Sequence, residues 1–507
     1  MVDSPRTNVH GVLAAAPQRR GDPGARALLA VLAAALLALG MVGARAQAAG
    51  RLDFTPDHGP VGTAVTAQAT GLTPGAKVAL SWETADASWQ VDGADFNGIA
   101  ATPVEHTLAS GVVGADGTLT LPFTVPDDYG YTHNVFLLDT GGNRVARQGF
   151  VVSPHLAMSP TSGPAGTPIH IRFTGLGYRF YHLVWHLKYD GADTGMLSAL
   201  STRGTAEVTI PATGAVGPHT LQAIVGTHAA PYLNEQQAPI YIPQVPLVES
   251  AVFTITPGPA AASAPAAEQG LPRKAGEGTP GGARPALALD YASGQVGSPT
   301  VLRGRGFPAG AEVRLTWSTV VGNRISGAGW QESSRDFAKV TAGADGAFVY
   351  RFDTPDDLGG VHHLVATAGG VKAETAYTIK PSVFEVSPRT VAPGGDITVH
   401  LKGVGWTATA NIYTLVMDNG YFGYACGFNS QGDVVIHIKA PGQPGTHYID
   451  LYPSIYKGDL KGPGAPTSTA NANYLLLPML NVVDHPGERL PSFELSFTVT
   501  GGGASAH

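Results

Sequence analysis

The residues with the widest chemical repertoire in this 507-residue chain are its histidines and paired aspartates. His133, His219, His362 and His447 each stand shortly after a glycine and just before an apolar run. Imidazole is a common metal ligand, but zinc takes three or four ligands. One histidine in each of four separate segments builds such a site only if the segments converge, so these four read as structural. His182 and His186 flank Trp185. Four residues apart suits a ligand pair on a helix, whereas on a strand it places them roughly 13 Å apart. Asp127-Asp128 and Asp356-Asp357 follow prolines and precede Gly130 and Gly359. Adjacent carboxylates offer hard oxygens, which makes these four aspartates the weak calcium candidates of the chain. Proline and aspartate equally favour tight turns, and the alternating acidic loop of a full calcium site is missing. There is no Gly-x-Ser-x-Gly elbow, no His-Glu-x-x-His and no phosphate-cradling loop. Ser430, within Gly427-Phe428-Asn429-Ser430-Gln431-Gly432, reads as a hairpin turn. No catalytic residue, metal site or cofactor is assigned.

The elements that position these residues recur four times. Openings at Thr55-Pro56, Ser159-Pro160, Tyr291 and Ser387-Pro388 lead to an alternating strand and then to Gly71-Leu72, Gly177-Tyr178, Gly306-Phe307 and Gly405-Trp406. A later strand carries Trp82, Trp185, Trp317 or Tyr413. The second and fourth segments match at a constant offset of 228 (Pro160/Pro388, Gly166/Gly394, Trp185/Tyr413, His219/His447), and the first and third at 229 around the paired aspartates. Trp82 and Trp317 lie 235 apart, so a loop differs in length. The chain is therefore a two-domain unit, A–B, duplicated as C–D. The expected boundaries are 51–154 for A, 155–257 for B, 286–382 for C and 383–500 for D. A Pro/Ala/Gly-rich linker at 258–285 separates the halves, and 501–507 is a short tail.

Period-two alternation with a turn every 8–12 residues, and no helical periodicity beyond the N-terminus, predicts all-β, antiparallel β-sandwiches. Trp82, Trp185, Trp317 and Tyr413 take the inner position that a third-strand tryptophan fills in immunoglobulin-like folds. Leu183, Trp185, Leu187 and Tyr189 are expected on one inner face. Charged residues make up 14% of the chain, against an average near ~25%. The net charge is −7, and removing the first 46 residues leaves −10 (26 − 36). An acidic chain without a basic stripe is a poor nucleic-acid binder. One cysteine, Cys426, excludes an internal disulfide framework. At the N-terminus, Arg19, Arg20 and Arg26 precede an apolar run over 27–42 and Ala44-Arg45-Ala46, the pattern of a signal peptide (1–46) cleaved before Gln47, with an uncleaved anchor as the rival reading. The mature chain has no further apolar run of membrane-spanning length.

Ser159-Pro160-Thr161-Ser162-Gly163-Pro164-Ala165-Gly166-Thr167 followed by Gly177-Tyr178 resembles the opening of bacterial immunoglobulin-like domains of the IPT/TIG type. The resemblance covers nearly all of 51–500 and implies four tandem sandwiches in a secreted, periplasmic or cell-surface protein. It transfers no catalytic residue. The expected function is adhesion, envelope structure or extracellular assembly, with an extracellular or envelope protein as partner. The rival is a carbohydrate- or polymer-binding accessory protein using Trp89 and Trp330, which lie outside the core position. An enzyme with an unrecognised interdomain site is the third reading. Long inserts near the ends of B and D add Tyr232, Tyr474, Asp484 and His485 as partner-binding candidates; otherwise the inserts supply edge strands or pack on A or C. Oligomeric state is not fixed by these features.

Overall fold

A computed structural model of the chain describes residues 50–227, 230–234, 237–238, 242–261, 284–322, 330–458 and 473–501, without side chains at 456–458 and 473–475. The signal-peptide expectation, most of the linker and residues 502–507 lie outside these residues. Gly50–His507 forms one compact unit.

Alternation decides the class. Pro168–Thr174 buries Ile169, Ile171 and Phe173 while His170 and Arg172 face solvent, and Asp396–Lys402 does the same with Ile397, Val399 and Leu401. A strand that wets one face and buries the other needs a second layer, and the molecule supplies it four times. Each unit pairs a three-stranded sheet with a five-stranded one. In A the layers are Arg51–Thr55, Ala64–Thr70 and Leu119–Thr124 against His58–Gly59, Arg144–Val152, Tyr131–Asp139, Lys77–Asp92 and Asp95–Val112. The same order recurs in B over His155–Ile255, in C over Ala286–Ile379 and in D over Ser382–Val499. In each, a two-residue strand crosses from the opening segment to run parallel to the last strand, as at His58↔Val151 and Thr390↔Thr498. The protein is all-β, built of four tandem immunoglobulin-like sandwiches, and no α-helix occurs among the described residues.

Trp82, Trp185, Trp317 and Tyr413 are fully buried, one in each core. Leu187 and Tyr189 share the core of Trp185, but Leu183 does not. It precedes the strand Trp185–Tyr189 and packs instead in a fifth cluster that belongs to no single sandwich. That cluster joins Phe96 and Ile99 of A, Phe180, Leu183, Val184, Met196 and Leu200 of B, and Ala408, Ile455, Leu477 and Met479 of D. The core of B also receives Tyr131 from A and Val416, Tyr452 and Leu480 from D. Burying one large apolar side chain contributes about 1.5–3 kcal/mol, against about 0–1 kcal/mol for an exposed ion pair. A, B and D are therefore joined chiefly by apolar packing. The two halves are consequently not independent bodies, despite the linker between them in sequence.

Two strand hairpins make long arms. Lys77–Asp92 with Asp95–Val112 extends from A, and the tip of this arm reaches the five-stranded sheet of D through a parallel pairing of Phe96 with Gly458. Glu312–Gly322 with Trp330–Thr341 is the matching arm of C.

Candidate functional site

The paired aspartates sit where one sandwich meets the next. Asp128 is buried at the mouth of the A core; its Oδ2 accepts from Trp82 Nε1 at 3.0 Å, and its Oδ1 from Thr84 Oγ1 at 2.9 Å and from the Tyr129 amide at 2.8 Å. Asp357 repeats this with Trp317 Nε1 at 3.0 Å, Thr319 Oγ1 at 2.7 Å and the Leu358 amide at 2.9 Å. A buried indole N–H needs an acceptor, and here a carboxylate provides it. The neighbouring aspartates face the other way. Asp127 pairs with Arg172 of B at 2.6 Å and accepts from Thr205 Oγ1, while Asp356 pairs with Lys402 of D. The calcium reading is corrected accordingly: within each pair the carboxylates diverge, each already facing hydrogen-bond donors or a cationic side chain. Among the described residues no cluster of three or more metal-ligating side chains occurs.

The glycine two residues on completes the joint. Gly130 donates its amide to Leu176 O, and a Cβ there would lie 1.7 Å from Gly175 O; Gly359 donates to Val404 O, and its Cβ would lie 1.9 Å from Gly403 O. Only glycine permits so close a backbone approach. Pro-Asp-Asp-x-Gly thus caps a tryptophan, binds a cation of the next sandwich and lets two backbones touch, once per half.

The matched histidines are bound locally. His133 stacks on Trp82 (4.3 Å, 22°) with Nδ1 2.8 Å from Glu83 O and Nε2 2.7 Å from Tyr129 O; His362 stacks on Trp317 with its nitrogens facing Ser318 O and Leu358 O. His219 and His447 face Asp190 and Asp418, each at 2.6 Å, and a backbone oxygen on the other side. The Asp418 carboxylate raises His447 above the usual imidazole value, against some desolvation. His186 is buried between Asp193 and Thr227 O, whereas His182 lies in the turn before the strand.

The partner-binding candidates take other places. Trp89 is half-buried against Phe96, and Trp330 against Trp406 and Phe428 of D; both indole nitrogens are shut off from solvent. Half-burial against neighbouring aromatic rings leaves only part of each indole open to a sugar face. Tyr232 is half-buried, with its hydroxyl donating to Gln237 O. The side chain of Tyr474 lies outside the described residues, although Asn473–Leu475 forms a strand on the edge of Gly445–Gly458. Asp484 and His485 are buried and unavailable to an external partner. Asp484 docks the D insert onto B, while Leu477 and Met479 of the same insert pack with Phe96 and Ile99 of A and Glu488 pairs with Lys380 of C. Asp484 accepts from Ser198 Oγ at 2.6 Å, from the Ser201 amide at 2.6 Å and from Ser201 Oγ at 2.5 Å, and Asn481 Nδ2 donates to Ser198 O. Backbone bonds from Met196 N to Pro478 O and from Leu480 N to Met196 O continue the contact. Burial raises the Asp484 carboxyl and pushes the His485 imidazole down to about 4. At another point of the B–D contact Asn419, fully buried, donates to Pro211 O at 2.8 Å and Thr213 Oγ1 at 3.0 Å, and its backbone carbonyl accepts from Thr194 Oγ1.

One polar cleft of about 110 Å³ opens at the A–B joint. Glu83 and Thr84 line it from Lys77–Asp92, Tyr131 to Asn134 from Tyr131–Asp139, Tyr178, Arg179 and His182 from the loop before Trp185, and Ile242 from the B insert. Tyr131, at φ 75°, drives its ring into B and stacks on His182 (3.9 Å, 14°); burial and the Arg179 charge lower His182 to about 4.

No family model and no curated protein sequence matches the chain. Among solved structures, Salmonella alpha-2-macroglobulin aligns at 12% identity over 87% of this chain and 30% of its own, with a TM-score of 0.18. Invasin, a bacterial integrin-binding protein, aligns at 11% over 89% and 79% (TM-score 0.19). A putative membrane-anchored protein of Corynebacterium diphtheriae aligns at 11% over 65% and 89% (TM-score 0.18). The chain spans less than half the length of the alpha-2-macroglobulins it matches.

Proposed function

We propose that the chain is an exported, non-enzymatic scaffold of the cell surface, periplasm or medium, serving adhesion, envelope structure or extracellular assembly through an extracellular or envelope protein partner. The observation that carries this reading is the joint, built twice from Pro126-Asp127-Asp128-x-Gly130 and Pro355-Asp356-Asp357-x-Gly359, together with the buried B–D contact. Its polar groups are engaged in holding sandwiches in fixed relation. A chain organised this way keeps its surfaces at set spacings, which suits presentation to a large partner. Among the described residues no helix is long and apolar enough to cross a membrane. The sequence resemblance to IPT/TIG-type domains points the same way.

The test is retention of a discrete partner. Mature protein immobilised and exposed to its native culture should hold one extracellular or envelope protein, and a variant opened at the B–D contact should hold it less. Hydrolytic turnover of a substrate by the purified chain would instead support the interdomain-enzyme reading.

A further inference from the structure

We propose that the A–B cleft is a binding subsite for one neutral sugar ring, held by Glu83, Asn134, Arg179 and the aromatic faces of Tyr178 and His182. Sugar recognition combines flat apolar faces, which meet the C–H side of the ring, with planar polar groups that pair with its hydroxyls. The cleft offers both. Asn134 Nδ2 donates to Glu83 Oε1 at 2.7 Å, and Arg147 fixes the Asn134 Oδ1 at 2.6 Å. The amide and carboxylate are therefore oriented before any ligand arrives, and the bonds described engage only one Glu83 oxygen. Arg179 is exposed, with its guanidinium 5.7 Å from the centre of the Tyr178 ring. The lining holds one carboxylate, Glu83, and one guanidinium, Arg179, and this balance favours a neutral ligand. At about 110 Å³ it is far smaller than the ~300–1,000 Å³ pockets that enclose drug-sized molecules. It therefore seats a chain end or a branch.

The duplication supplies an internal comparison. At the matched positions of C–D, Glu83 becomes Ser318, Tyr131 becomes Gly360, Asn134 becomes His363, Arg179 becomes Thr407 and His182 becomes Ala410. Tyr178 becomes Trp406, whose ring lies 5.6 Å from that of Trp330, and Trp330 in turn lies 6.1 Å from Phe428. Both joints keep the Trp–Asp–His arrangement and the touching glycines without Glu83, Asn134 or Arg179; Tyr131, which also differs, fills the core of B. The polar set belongs to A–B alone. This inference goes beyond the scaffold reading, and a scaffold that binds no sugar remains a scaffold.

The experiment is saturation-transfer NMR and calorimetry on the full chain with free glucose, galactose, mannose, xylose and N-acetylglucosamine. At least one should bind with a Kd on the order of 1 mM. Glu83→Gln should weaken it roughly tenfold at unchanged melting temperature, Tyr178→Ala by a similar factor with some loss of stability because its ring packs edge-on against Tyr129, and the exposed Arg179→Ala less. Trp330→Phe should leave binding intact. The proposal is overturned if none of these sugars binds, if binding persists unchanged in Glu83→Gln and Tyr178→Ala, or if only acidic sugars bind and Arg179→Ala alone abolishes it.

Discussion

Replacing Asn419 probes the B–D contact at its most enclosed polar group. Its Nδ2 donates two hydrogen bonds into B, to Pro211 O and Thr213 Oγ1, and its backbone sits at φ 63°, in the left-handed region. Asn419→Ala leaves the buried Pro211 carbonyl without this donor, a loss of about 1–3 kcal/mol. Alanine at positive φ adds about 1–2 kcal/mol, which asparagine resists better through local hydrogen bonding. The Oδ1 of Asn419 has no partner and is buried, so its removal returns part of the desolvation cost. The net expectation is about 2–4 kcal/mol for alanine and about 1–3 kcal/mol for Asn419→Gly, which relieves the backbone but not the lost bonds. Urea unfolding of the full chain measures both, from midpoint shifts at unchanged slope. If both variants fall within about 0.5 kcal/mol of the parent, as exposed turn residues do, the turn is not buried against B and the reasoning fails.

Trp185→Ala should cost about 3–5 kcal/mol. Because Val416, Tyr452 and Leu480 share its cluster, hydrogen exchange should show Ile412–Met417 of D losing protection together with B; unchanged protection there would restore independent halves. His485, depressed to about 4 by burial, binds a proton more readily unfolded than folded between about pH 6.5 and 4. Its contribution is present above that window and falls by about 3 kcal/mol as the pH drops through it. His485→Leu should therefore flatten the acid limb of a stability–pH profile, and an unaltered limb would contradict the assignment. Asp450 lies buried opposite Glu494, and desolvation with repulsion from Glu494 and Asp418 raises its carboxyl well above the usual range. The folded state then holds that proton longer, so stability falls as pH rises; Asp450→Asn should raise the melting temperature at pH 8 more than at pH 4, and an equal shift at both would refute the charge argument.

The sandwich class was legible because a period of two is a local property, visible in seven residues such as Ile169 to Phe173 and their flanks. The joints were not. Asp128 meets Trp82 across 46 positions, and Asp484 meets Ser198 across 286, and no local pattern announces either contact. The paired aspartates stood only as weak calcium candidates, because residue type is visible in a sequence and the direction of a carboxylate is not. The long arms explain Trp89 and Trp330: both lie past the sandwich core on strands that reach another sandwich, where half-burial replaces exposure. One signal was present. Gly130 and Gly359 recur at one offset and Gly175 and Gly403 at the other, and glycines kept in both copies at both places mark backbones that touch. The D insert was recognised as extra chain, but its contacts with B, A and C together depended on how the two halves fold back on one another.

The central claim is that B and D are held face to face, and a cross-link tests it most directly. Met196 and Met479 are paired in a parallel bridge across this contact, and both are fully buried. With Cys426 replaced by serine, Met196→Cys and Met479→Cys should form a disulfide in full on folding, since bridge partners lie within the ~4.4–6.8 Å Cα range a disulfide requires. Two thiols that stay free and react with maleimide in native buffer would contradict the account.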